Sequence, residues 1–243
     1  MSEKLKISII TVTFNAEQYI ERAIKSVLLQ DYANIEYVII DGLSTDGTVS
    51  ILEKYNTDID YWVSELDNGI YDAMNKAISV ISGEFYIIMG ADDILFPGVI
   101  SEIVNNYLIS NQVDYLITST WMGDMRLRQG MRPNSGWKGA HAMVNAHSLG
   151  MVVRADVHKK IGMYSTNYEI SADALFIKRL FNSDAIGASA DVITGRFSIK
   201  GVSNTNLAKG LCENFLIQLK TESNKKFQVV LFILRLVKNL FKL

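Results

Sequence analysis

The feature that most constrains this chain is the alternation, over its first hundred or so residues, of short apolar runs with amphipathic helical segments. Residues 6–13 (KISIITVT), 35–40, 59–63 and the apolar part of 84–93 (EFYIIMGADD) have the length and β-branched content of strands buried on both faces. Between them, residues 16–30 place Tyr19, Ile20, Ala23, Ile24, Val27 and Leu28 on one helical face and Glu17, Glu21, Arg22 and Lys25 on the other. Further helices are predicted over about 48–55 and 70–81. Strands separated by helices pair in parallel through right-handed crossovers, so this part reads as half of a doubly wound α/β domain. Ligands in such sheets collect at the carboxyl ends of the strands.

The polar residues fall at those ends. They are Thr11, Thr13 and Asn15 after the first strand, Asp41 after the second, Asp67 after the third, and the adjacent pair Asp92 and Asp93 after the fourth. Two neighbouring carboxylates repel each other, and a divalent cation bridging phosphate oxygens would offset that repulsion. An acidic N-cap for a helix starting near Pro97 accounts for one of the two. The turn DGLSTDG is expected to be held by Ser44, Asp46 and Gly47, leaving Asp41 free for a ligand. Neither a G-x-G-x-x-G fingerprint nor a phosphate-binding G-x-x-x-x-G-K-[ST] loop is present, which removes the usual support for hydride transfer and P-loop phosphoryl transfer.

Beyond Asp93 the alternation loosens. A helix over 97–110 and a strand over 113–118 precede a stretch without clear periodicity, 120–145, which is either a solvated loop or a lid touching acceptor phosphate. It carries Arg126, Arg128, Arg132, Lys138, Trp121 and Trp137 against one acid, Asp124. A strand over 147–154, helices over 155–161 and 172–181, and closing strands over 185–199 follow. A net charge of -2 gives no reason to expect nucleic-acid binding. The single cysteine, Cys212, fits a reducing compartment, and MSEKLKISIITV lacks the pattern of a signal peptide, so a cytoplasmic protein is expected.

Four blocks, SIITVTFNAEQYIERAIKSVLLQDY, VIIDGLSTDGT, DNGIYDAMNKAI and SGEFYIIMGADD, occur in this order, each at a strand end. Together they resemble the family 2 glycosyltransferases of the GT-A fold, particularly bacterial enzymes of surface-polysaccharide synthesis. The resemblance is strong over residues 5–100 and weaker over 140–185. It implies an α/β fold in which a nucleotide-binding, Rossmann-like, mostly parallel sheet (1–95) is fused to a smaller acceptor-binding half (96–205), with 206–243 as a helical tail.

By that resemblance, Thr11, Thr13 and Asn15 would line the nucleotide pocket, Asp41 would accept from the base, and Asp67 would lie beside the nucleotide. Asp92 would contact sugar or ribose hydroxyls, and Asp93 would bind Mg²⁺ or Mn²⁺. The chain departs from the commonest form of the motif, because no acid stands two places before Asp93. Asp173 resembles the family's general base, with Glu169 as the fallback; on residues alone an acid there also suits the helix macrodipole. His147 is a candidate third metal or diphosphate contact, while His141 and His158 have weaker claims.

The tail, residues 225–243, holds five basic residues and no acid, so residues 1–224 carry a net -7. Its apolar run is too short to span a bilayer. As a helix it sets Gln228, Arg235, Lys238, Asn239 and Lys242 as a narrow polar stripe opposite a broad apolar surface. Such a helix suits peripheral attachment to the inner face of the cell membrane, packing on its own domain, or a homodimer interface.

The expected function is a non-processive, metal-dependent, inverting transfer of sugar from a nucleotide diphosphate, UDP by preference, to a saccharide or lipid-linked saccharide. The rivals are a sugar-nucleotide-binding scaffold without turnover and a sugar nucleotidyltransferase. The latter lacks its Gly-rich, Arg-bearing loop here.

Overall fold

The computed structural model describes residues 5–109, 111–127, 130–144, 147–198 and 206–239. Strands β1 (Ile7–Thr13), β2 (Ile35–Asp41), β3 (Tyr61–Ser64) and β4 (Phe85–Gly90) pair in parallel in the order β3-β2-β1-β4. Helices α1 (Ile20–Leu28), α2 (Thr48–Lys54) and α3 (Ile70–Val80) make the crossovers. The sheet then continues through β8 (Met151–Arg154), which runs antiparallel to β4, into β6 (Tyr115–Met122) and β9 (Gly187–Phe197). A two-residue strand, β5 (Ile94–Leu95), closes that edge.

Because both faces of the strands are covered, alternate residues feed two cores. Ile7 and Ile9 of β1 meet Ile20, Ile24 and Val27 of α1, with Val99 and Ile103 of α4 (Val99–Ile103) in the same cluster. Ile10 and Val12 face the other way, with Met74 and Ala77 of α3 and Leu175 and Phe176 of α7 (Ala172–Phe181). That alternation explains why the first half reads as uninterrupted apolar runs.

At the amino ends of the strands sits buried Glu36, whose carboxylate accepts from Ser8 Oγ (2.5 Å), Ser82 N (2.7 Å), Ser82 Oγ (2.6 Å) and Gly83 N (3.2 Å). Burial works against its charge, yet the hydrogen bonds from Ser8 and Ser82, aided by Lys6, hold its carboxyl down at about 2.

The second half differs from its expected outline in four places, one being the strand expected over 147–154, which starts at Met151 after a 3-10 turn over Ser148–Gly150. The stretch expected to lack structure from 120 onward extends β6 to Met122, turns back as β7 (Met125–Leu127), and continues as a 3-10 turn (Pro133–Lys138) and α5 (Ala140–Met143). Apolar alternation does not mark this ladder, whose hairpin turns at positive-φ Gly123. Arg128 and Asn145 lie outside the described residues. The expected 97–110 helix is α4 running straight into a π-helical turn (Val104–Leu108), and the closing strands are the single long β9. Helices α6 (Val157–Ile161), α8 (Leu207–Thr221) and α9 (Lys225–Asn239) complete the chain.

Candidate active site

Where β1 and β2 end, two loops are stapled together in left-handed backbone conformations at Asn15 (φ 48°) and Leu43 (φ 64°). The Asn15 N–H donates to Ser44 Oγ (2.7 Å), and Thr45 N–H donates to Asn15 Oδ1 (2.9 Å). Asn15 therefore holds the loop through its backbone N–H and its Oδ1, while the residue stays exposed at the strand's end. Asp41, fully buried, accepts from Ser44 N (2.8 Å), Ser44 Oγ (2.5 Å) and Ser64 Oγ (2.6 Å). The expectation that Asp41 stands apart from the turn is thus corrected, since its carboxylate organises the turn and leaves little unused acceptor capacity.

Thr11 lies deeper. It is completely buried and its hydroxyl meets Tyr37 Oη at 3.1 Å in the core. Thr13, two residues on, is on the same face but at the strand's end, and its buried Oγ1 has no hydrogen-bond partner among the described residues. Asp67 folds over the β2 loop, accepting from Gly69 N (2.8 Å); a Cβ on Gly42 would stand 2.6 Å from its Oδ2. Gly42 is therefore what lets the ends of β2 and β3 share one corner.

The acid pair divides its labour. Asp93 is buried, with Oδ2 accepting from Gly90 N (2.8 Å) and Oδ1 from Ser198 N (3.2 Å). Burial raises its carboxyl to about 7, with the Asp92 charge adding to the rise against the opposing backbone hydrogen bonds. Asp92 is half-buried and has no hydrogen-bond partner among the described residues. Both carboxylates crowd over Gly90, where a Cβ would lie 3.0 Å from Asp92 Oδ1.

Across from this pair is His147, stacked on Phe197 with ring centroids 4.1 Å apart. Burial lowers its imidazole to about 4, and the carboxylates of Asp173 and Asp92 pull it back upward, so both stand within electrostatic reach of the ring. Residues from the two halves of the chain meet here, since Phe197 under the His147 ring precedes Ser198, whose N–H donates to Asp93, and Ser148 borders the same cavity as Asp173. The His147 Nδ1 takes a long contact from Leu149 N (3.4 Å), which favours the neutral tautomer with the proton on Nε2.

Asp173, at the start of α7, uses only Oδ1, accepting from Ala174 N (2.7 Å) and Tyr71 Oη (3.1 Å). It borders a small cavity shared with Tyr86, Ser148, Tyr164 and Phe176. Glu169, the fallback, is largely exposed and paired with Lys209. His158 is a core residue, bonded through Nε2 to Tyr86 Oη (2.7 Å) and through Nδ1 to the Gly162 carbonyl (3.1 Å). Nothing is described of the His141 side chain.

The model of the family described as glycosyl transferase family 2 matches residues 8–159, well over half of the chain. The chain belongs to that family. A Mycobacterium tuberculosis protein described as an uncharacterized glycosyltransferase is 38% identical over 106 residues, 43% of this chain and 40% of the relative's length, so the chain spans well under half of the first curated relatives it matches. A PGL/p-HBAD biosynthesis glycosyltransferase of Mycobacterium bovis is 26% identical over 239 residues, 94% of this chain and 89% of its own. Staphylococcus aureus TarS 1–349, solved with UDP-GlcNAc, superposes with a TM-score of 0.69 at 18% identity, covering 94% of this chain and 70% of TarS 1–349. A Pyrobaculum calidifontis mannosyltransferase, solved with GDP-Man and Mn²⁺, gives 0.61 at 14% identity over 98% and 76%. The fold is that of the GT-A glycosyltransferases.

In this family 2 chain three positioning residues escape pattern reading. Tyr71 on α3 donates to Asp173, and its hydroxyl also meets the Ile170 carbonyl (2.7 Å). Burial, then the Asp173 charge, keeps that phenol protonated. Asn75, one turn along the helix, closes both ends of its amide on the backbone of Tyr164 (2.9 and 3.0 Å). Glu213 on α8 accepts the backbone N–H groups of Glu169, Ile170 and Ser171, each at 2.9 Å. Tyr71 and Asn75 were findable as an i, i+4 pair of hydrogen-bonding residues on the buried face of α3. Glu213 carried no signal, because its partners are backbone groups more than forty residues away.

Proposed function

We propose that this protein is an inverting glycosyltransferase that moves a sugar from a nucleoside diphosphate, UDP by preference, to a hydroxyl of a saccharide or lipid-linked saccharide. The observation that carries the reading is geometric: His147 stacks on Phe197, the next residue, Ser198, donates its N–H to Asp93, and Ser148 shares a cavity with Asp173, so the acid pair and Asp173 border one site. Asp173 Oδ2, with no hydrogen-bond partner among the described residues, takes the acceptor's proton as the hydroxyl attacks the anomeric carbon, while Tyr71 fixes the other oxygen. The unpartnered Thr13 hydroxyl, with Asp41 and Asp67 in the adjoining corner, supports a nucleoside placed over the ends of β1, β2 and β3.

Among the described residues no three His, Cys, Asp or Glu side chains form a ligand cluster. A cation shared with a diphosphate needs only one or two protein ligands, and the uncommitted carboxylate of Asp92 fits that need better than buried Asp93. When bound, Mg²⁺ or Mn²⁺ would neutralise charge on the departing diphosphate. Asp93 braces the turn that presents Asp92, and His147, with its proton on Nε2, donates to a phosphate oxygen. The TarS complex with UDP-GlcNAc and the Mn²⁺ complex of the mannosyltransferase support the donor class and the cation.

The test is a thermal-shift screen of nucleotide sugars with and without Mn²⁺, followed by transfer assays with wild type and Asp173→Asn. Metal-assisted stabilisation by one donor, and turnover lost in the variant while stabilisation persists, is expected. Full activity in Asp173→Asn removes that residue from the chemistry. Stabilisation without turnover in wild type favours a binding scaffold.

A further inference from the structure

Helix α9 is turned inside out for a protein surrounded only by water. Two residues of its polar stripe face inward: Gln228 is buried and bonds the Trp137 carbonyl (3.0 Å) and Gln218 (3.2 Å), and Arg235 donates to the Lys138 carbonyl (2.7 Å), while Lys238 is exposed and Lys242 lies outside the described residues. Its apolar side faces outward, with Val229, Val230, Ile233, Leu234 and Val237 between 42 and 64% exposed. This reverses the usual arrangement of a surface helix. The 3-10 turn continues the same surface, since Trp137, 41% exposed, packs on Phe227 (centroids 5.5 Å) with the Lys138 ammonium over its ring. Lys225, Lys226 and Lys238 flank the apolar strip, and no acid occurs from residue 223 onward.

We propose that α9 and the Trp137 turn together form a docking surface for an anionic lipid bilayer, with α9 lying in the plane of the interface. At 15 residues the helix is about 22 Å long, shorter than the hydrocarbon core of a bilayer, and none of the described helices is long and apolar enough to cross. An apolar strip rimmed by lysines, with an amphipathic tryptophan at its edge, matches the chemistry of the headgroup region. A second copy of this chain fits it less well. A two-fold contact would set the lysine-rimmed strip against itself, with no acid on the helix to offset the like charges. The surface adds to the transferase reading and does not depend on it.

The test uses the full chain in co-sedimentation with vesicles of neutral phosphatidylcholine alone or mixed with anionic phosphatidylglycerol. Binding to the anionic vesicles that weakens as salt rises is expected, with little binding to the neutral ones. Val230→Glu/Ile233→Glu/Leu234→Glu should lower that binding by about tenfold or more, and Trp137→Ala by a few fold, since its backbone carbonyl keeps its bonds. Circular dichroism and stabilisation by a nucleotide sugar should be unchanged in both, which separates loss of docking from loss of fold or donor site. Wild type that stays in solution with both vesicles overturns the proposal. So does undiminished vesicle binding by the triple variant, or light scattering that shows a wild-type dimer abolished by the triple variant without vesicle binding.

Discussion

Asp173 has one carboxylate oxygen tied to Tyr71 and its own helix, and the other with no partner among the described residues, so the two oxygens respond to different substitutions. Asp173→Asn removes the proposed proton acceptor and keeps the shape; transfer should fall by about 10²–10⁴-fold with donor-induced stabilisation retained, as read by turnover and thermal shift. Tyr71→Phe removes only the hydroxyl that orients Asp173. It should lower kcat by about tenfold with donor KM little changed, because the interaction lost matters in the transition state rather than in donor binding. Asp92 and Asp93 separate in the same way. Asp92→Asn should abolish the Mn²⁺-dependent part of nucleotide stabilisation and leave the protein's own melting temperature near wild type, whereas Asp93→Ala should lower the melting temperature without any ligand, since it strips two backbone N–H groups of their acceptor. A carboxylate spent on backbone donors and one without a hydrogen-bond partner among the described residues look identical as neighbouring letters, so the sequence alone does not divide the roles of Asp92 and Asp93.

Two elements are set by single glutamates that clasp backbone. Glu36 closes the amino ends of β1, β2 and the β4 approach, and its carboxyl is held at about 2, below its unfolded value near 4.3. A depressed carboxyl contributes stability above the unfolded value and loses it as pH falls through the folded one, so its contribution should drain away between about pH 4.5 and 2. Glu36→Gln should cost on the order of 2–3 kcal/mol at neutral pH and flatten the acid limb of the unfolding curve. Periodicity made the first-half strands and helices legible because each buried element there repeats at its own period. It failed from residue 120 to 150, where a hairpin, a 3-10 turn and a four-residue helix are held by turns and by carbonyls capped from α8 and α9. Apolar spacing carries no trace of such contacts.

At the scale of the whole molecule, the part of the chain that carries α7 is bound to the C-terminal helices by polar groups in places where oil-like packing would be ordinary. Lys178 on α7, nearly inaccessible to solvent, donates to Gln218, Thr221 and Glu222; burial lowers its ammonium and Glu222 counters that. Gln218 in turn donates to the Gly136 and Trp137 carbonyls (3.1 and 3.0 Å), so α7, which carries Asp173, the Trp137 turn and α8 share one buried network. Such networks are costly when half broken, because a buried charge left without its partner loses about 3–5 kcal/mol. Two truncations should therefore behave differently. Removal of residues 223–243 leaves Lys178 with all three partners and Glu213 on its backbone donors, so nucleotide-sugar stabilisation should persist while vesicle binding is lost. Removal of 207–243 strands Lys178 and releases the 169–171 backbone that leads into Asp173, so the melting temperature should collapse and transfer with it. Equal loss of both properties in the two truncations would mean that α9 is a structural part of the site and not an appendage that carries it to a surface.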